Sequence, residues 1–177
     1  MKTLAVVLGL CLAASAQAQT EKKPVTLRSV LLDQLHSTHD KKNWYVDADT
    51  AVANLTAEQS NWTDGKGNHS VGQLVNHLVF WNRQSLANFK GETPEKFGGN
   101  NDETFTKFDS KQWKATVQAL DEVLTQLEKL VELADDKSLE KWAPTLANIG
   151  AHNAYHIGQI VFVRREQGSW DAEKGVK

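Results

Sequence analysis

Apolar residues recur at intervals of three and four along most of the chain, and no strand-like alternation persists. From about Val25 to Asn54, Leu27, Val30, Leu31, Gln34 and Leu35 keep helical spacing. A break or bend is expected near Trp44-Tyr45, because Asp47-Ala48-Asp49-Thr50 can cap a fresh turn. Thr56 ahead of Ala57-Glu58-Gln59 reads as a capped single turn, and Asp64-Gly65-Lys66-Gly67-Asn68 as a loop. Ser70, with Gln73 three residues on, opens a second long helix whose apolar stripe is Val71, Leu74, Val75, Leu78, Trp81 and Leu86; Gly91 is placed to end it. The stretch from Gly91 to Asp109 is the longest irregular one, of the kind that forms lids and pocket rims. Asp109 or Ser110 caps a third helix, where Trp113, Val117, Leu120, Val123, Leu124, Leu127, Leu130 and Val131 hold the period. Asp135-Asp136-Lys137 interrupts the pattern, and a short turn at Ser138 to Trp142 leads through Pro144 to a fourth helix, about Thr145 to Gln167, ending at Gly168. Four principal helices and one long crossover loop predict an all-α fold, an up-and-down four-helix bundle.

The first residues read as a targeting segment rather than as part of that bundle. Lys2 supplies a positive start, Leu4 to Ala14 a short apolar run, and Ala16-Gln17-Ala18 a small-x-small cleavage site. Residues 1–18 are therefore expected to be a signal peptide and residues 19–177 a single domain, exported to the periplasm or secreted. The apolar run is too short for a permanent anchor, so no stable membrane insertion is expected after cleavage. Leu10, a large residue directly before Cys11, speaks against lipid attachment at that cysteine. Cys11 is the only cysteine, so the mature chain has no disulfide, thiolate ligand or cysteine nucleophile. Its fold must then rest on its core, to which six tryptophans can contribute. The formal net charge is −2, one unit more negative without Lys2, and no basic patch suggests nucleic acid or a membrane surface.

The chemistry lies in the histidines. His152 and His156 are four residues apart in AHNAYHIGQIVFVRR, and helical projection puts them on one face with Ile149, Asn153, Ile160 and Val163. His77 stands beside Leu74 and Trp81 on the second helix. Three imidazoles on a buried face need partners for their ring nitrogens, and a divalent cation supplies one shared partner. Each histidine alone also reads as an ordinary polar residue of a core or helix surface. Asn153 occupies the place of the glutamate in HExxH, so a zinc-protease mechanism is not supported. His69 is a loop residue within reach of a pocket rim. His36 and His39, three apart on the first helix, read as exposed or partly buried polar positions, an adventitious metal contact being the alternative. Arg83, Arg164 and Arg165 are candidate anion anchors, the last two more simply a solvated helix end. Asn76, Asn153 and Gln159 are candidates to fix histidine tautomers; no carboxylate is assigned as general base, Asp121 and Glu122 lying on the third helix, and the catalytic residues are left unassigned.

The segments NWYV, LTAEQSNW, HSVGQLVNHLVFWN and AHNAYHIGQIVFVRREQGSW together resemble the DinB/YfiT-like family, from about Leu27 to Trp170. The most specific piece is the closing HxxxHxGQI followed by a basic pair. The resemblance implies a four-helix bundle holding nickel, zinc, manganese, iron or another divalent ion on three histidines, which fall on His77, His152 and His156. Some members are thiol-dependent transferases or isomerases. An exported chain lies away from the reduced thiol pool, and no thiol-binding signature is evident, so the resemblance speaks for the metal site more than for a reaction. The resulting expectation is a divalent-metal-dependent hydrolase or group transferase acting on a small molecule. The competing expectation is a non-catalytic cell-envelope protein that binds metal or is stapled by it, and a metal-free helical binding module is the third. Bundles of this kind also pair through their helices, so a homodimer is among the partner expectations.

Overall fold

The helices start where a side chain can satisfy an orphan amide. Thr26, Thr56 and Ser70 each form a reciprocal capping box with the residue three positions on, and Asp47 and Asp135 each accept one backbone amide. The computed structural model describes residues 24–175, so the expected signal segment lies outside the described residues. Within them are seven α-helices and no strand: α1 Leu27–His39, α2 Ala48–Val52, α3 Ala57–Asn61, α4 Val71–Lys90, α5 Glu103–Thr106, α6 Trp113–Leu133 and α7 Asp136–Glu166. Short 3-10 turns stand at Ser110–Gln112 and Ala172–Lys174. None of these helices is long and apolar enough to cross a membrane.

Four long helices make the frame. α6 packs against α1 and α4, and α7 packs against the same two from the other side. Leu31 and Leu35 of α1, Leu74 and Leu78 of α4, Leu120, Leu127 and Val131 of α6, and Leu139, Leu146, Ile157 and Ile160 of α7 are buried where these faces meet. Each such side chain stabilises the fold by roughly 1.5–3 kcal/mol relative to exposure. Leu27 and Val30, on the expected apolar stripe of α1, are exposed at 42% and 51%. Arg28 from the same helix instead reaches α6, donating to the carbonyls of Val131, Glu132 and Ala134 at 2.6, 2.9 and 2.8 Å. Those are orphan carbonyls at a helix end, so the arginine ties α1 to the C-terminus of α6.

The first helical stretch ends at His39, and Asp47 caps the separate α2, so the break expected near Trp44-Tyr45 is there. One helix boundary differs from the sequence pattern. The last helix does not begin after Pro144. Capped by Asp135, it runs unbroken through the proline from Asp136. Pro144 and Glu140, whose carbonyl loses its intrahelical donor there, are both exposed, so water can satisfy that oxygen. Leu139 and Leu146, buried on either side of it, hold the helix to the core. The tryptophans divide as well. Trp113 is buried and donates its indole N–H to the Leu55 carbonyl at 2.9 Å, whereas Trp44 is 90% exposed.

Candidate metal centre

The cap at Ser70 sets the phase of α4 so that His77, two turns in, faces the core at 3% exposure. α7 presents His152 and His156 from one face, as their spacing requires. The three rings meet. One nitrogen from each lies within 4.8 Å of the others, and Nε2 of His77 is 3.1 Å from Nε2 of His152. Two imidazole nitrogens about 2.1 Å from a shared ion stand roughly 3–3.5 Å apart, so that separation suits a common cation.

The partners of the other ring nitrogens fix where the protons are. Thr104 Oγ1 already donates to the Asn101 carbonyl at 2.7 Å, so toward His77 it accepts, and Nδ1 of His77 carries the proton at 2.6 Å. Nδ1 of His156 donates to Oε1 of Gln159 at 2.6 Å. Both rings are thereby held with the Nε2 lone pair free, the form a metal ligand needs. In the absence of an ion, only a proton on Nε2 of His152 can relieve the lone pair of His77 facing it. A divalent cation answers the same need for all three rings at once.

Electrostatics agree with that donor set. Burial, with the neighbouring His156 and His152, lowers the pKa of His77 from 6.5 to about 3. Burial and His152 outweigh the opposing Gln159 hydrogen bond and lower His156 to about 4. Burial lowers His152 too. All three are neutral at pH 7.

Phe105 of α5 stacks on His77 at 3.9 Å, and its other face carries His69 at 4.0 Å. His69 therefore braces the centre from behind an aromatic ring and is not one of the converging rings. The partners on α5 escape sequence reasoning, because Thr104 and Phe105 sit in the stretch read as irregular. The one local signal is that three phenylalanines, Phe97, Phe105 and Phe108, punctuate an otherwise polar segment. Asn76 acts one step removed, donating to the Thr104 carbonyl at 2.6 Å. Asn153 touches no histidine nitrogen. It accepts from the Asn82 amide at 2.9 Å, a buried pair joining α7 to α4.

The remaining candidates lie elsewhere. His39 is buried between two carboxylates, with Nδ1 2.8 Å from Glu128 and Nε2 3.1 Å from Asp121. Burial opposes its charge, but the Glu128 hydrogen bond and charge, together with Asp121 and Asp49, push its pKa up to about 9. It holds a proton at neutral pH where a metal ligand would need a lone pair, although it and His36 each stand within a three-residue group of metal-binding type. Asp121 is thus engaged away from the centre, and Glu122 accepts from Gln118 on its own helix. Arg164 is not a solvated helix end. It is buried, donates to the Ala51 and Ser169 carbonyls at 2.7 and 2.8 Å, and lies 5.2 Å from the centre of the Trp170 ring. Arg165 is exposed.

Beside the three histidines opens a cavity of about 470 Å³, within the range of small-molecule sites. Helical fold and site together define an all-α protein with a three-histidine group able to hold a metal ion. The chain belongs to the DinB superfamily, whose family model matches residues 43–160, a span that includes all three histidines. No curated protein and no solved structure matches it.

Proposed function

We propose that His77, His152 and His156 bind a divalent ion and that the protein is a metal-dependent enzyme, a hydrolase or group transferase acting on a small molecule. The observation that supports this most is the open side of the centre. Three ring nitrogens converge, those of His77 and His156 held as acceptors by Thr104 and Gln159, no fourth histidine, cysteine or carboxylate joins their group among the described residues, and a cavity adjoins them. A structural zinc site is closed by four protein ligands, whereas a catalytic one keeps a position for water or substrate. An ion held by these three neutral imidazoles would retain its charge and supply Lewis acidity toward a water or a substrate oxygen or sulfur. The chain contributes orientation. Thr104 and Gln159 hold the rings of His77 and His156, Phe105 shields the back of the site, and among the described residues no carboxylate lines the cavity. The signal-like segment adds the proposal that this chemistry takes place after export.

The test is whether the coordination shell is open. Cobalt(II)-loaded protein is expected to change its visible spectrum on addition of azide. An unchanged spectrum on a stoichiometrically loaded sample would favour the non-catalytic, metal-stapled reading. The orienting partners make a second expectation. Thr104→Val and Gln159→Leu should each weaken metal binding by about 10–100-fold, measured by competition with a chelating dye. Wild-type affinity in both would mean that these bonds orient nothing.

A further inference from the structure

Resting on the metal reading above, we infer that the site takes a small molecule with one metal-binding head and an uncharged, largely apolar body. Among the described residues, no aspartate, glutamate, lysine or arginine lines the cavity beside the histidines. Arg83, although next to Asn82 in sequence, lines two other grooves, in company with Glu95. Apolar surface comes from Trp81, Ile149 and the edge of Phe105, whose two faces are already covered by His69 and His77.

The polar groups of the wall are neutral, and most are spent. Asn101 accepts the indole N–H of Trp81 at 3.1 Å, and the Ser85 hydroxyl donates to the Trp81 carbonyl at 3.0 Å. The Asn82 amide is used on Leu78 and Asn153. What remains for a ligand is neutral and at the exposed rim: the Thr145 hydroxyl, the Asn148 amide and the NH2 group of Asn101. A carboxylate or ammonium on the ligand body would give up water here and meet no opposite charge in the wall, a cost that apolar surface does not incur. The head differs, because an ion held by His77, His152 and His156 would supply the positive charge that an anionic donor atom needs.

Hydroxamates supply a constant head on a variable body. Cobalt(II)-loaded protein, with metal content measured first, is titrated with benzohydroxamic acid and with its 4-carboxy and 4-trimethylammonio derivatives, following the visible bands. The uncharged compound is expected to bind at least about tenfold more tightly than either charged one. Asn148→Lys should narrow the gap for the carboxylate and widen it for the ammonium compound. Equal affinities, a preference for a charged body, or no response to any of the three on loaded protein would overturn the inference and leave the metal reading standing. Failure to take up cobalt, nickel or zinc would overturn both.

Discussion

Alanine at His77, His152 or His156 is expected to abolish stoichiometric metal binding while the helices persist. Wild-type protein purified without an affinity tag should carry about one ion per chain, and each variant almost none, because losing one of three ligands costs more than the roughly 10–100-fold lost with an orienting partner. Circular dichroism should change little. The rings are neutral at pH 7 in the metal-free form, so removing one leaves no buried charge behind. Added metal should stabilise the wild type by about 2.7 kcal/mol at a hundredfold excess over Kd and leave the variants unmoved. Acid reverses the stabilising state. An unfolded histidine takes up its proton near pH 6.5, whereas His156 and His77 resist until about 4 and 3. The contribution of these rings to the stability of the metal-free form is therefore full above pH 6.5 and falls as the pH drops through that window. Wild-type protein that takes up none of nickel, zinc, manganese or iron would remove the metal centre, and variants that keep a full equivalent would place it elsewhere.

The second large effect is expected at the opposite end of the pH scale. His39 is charged in the fold up to about pH 9, well above its unfolded value of 6.5. Its contact with Glu128 contributes fully below pH 6.5 and is lost as the pH rises through 9. That contribution is on the order of 2 kcal/mol, after discounting for the half-exposed Asp121 that shares the ring. Urea denaturation of the wild type should show the alkaline decline, and His39→Gln should flatten it. Glu128→Ala should cost about 3 kcal/mol at pH 6 and much less at pH 10, because it strands a buried imidazolium. If the variants and the wild type share one alkaline profile, the pair does not control it. Together the two histidine groups place the stability optimum of the metal-free protein near neutrality.

The physics of short range explains what could be read in the residues. The ends of α4 follow from Ser70, Gln73 and Gly91, and the shared face of His152 and His156 follows from helical period alone, because cap and period are local properties. Contacts between helices leave no such trace. Burial of Arg164 depends on the Ala51 carbonyl arriving from 113 residues away, and that of His39 on Glu128, 89 residues on. Pro144 reads as a break because a proline removes a hydrogen bond. The helix persists because packing of Leu139 and Leu146 outweighs that loss on a solvated face. Thr104 and Phe105 lie in a segment whose composition signals a loop, and only the tertiary fold gives them their part against His77.

That last contact makes the crossover segment and the histidine centre thermodynamically reciprocal. α5 is only four residues long and has no side-chain cap, too short to stand as an independent helix. Its order is borrowed from the rings it touches. An ion bound as proposed at His77 would favour the ordered chain around Thr104, and ordering of that chain would favour the ion by the same free energy.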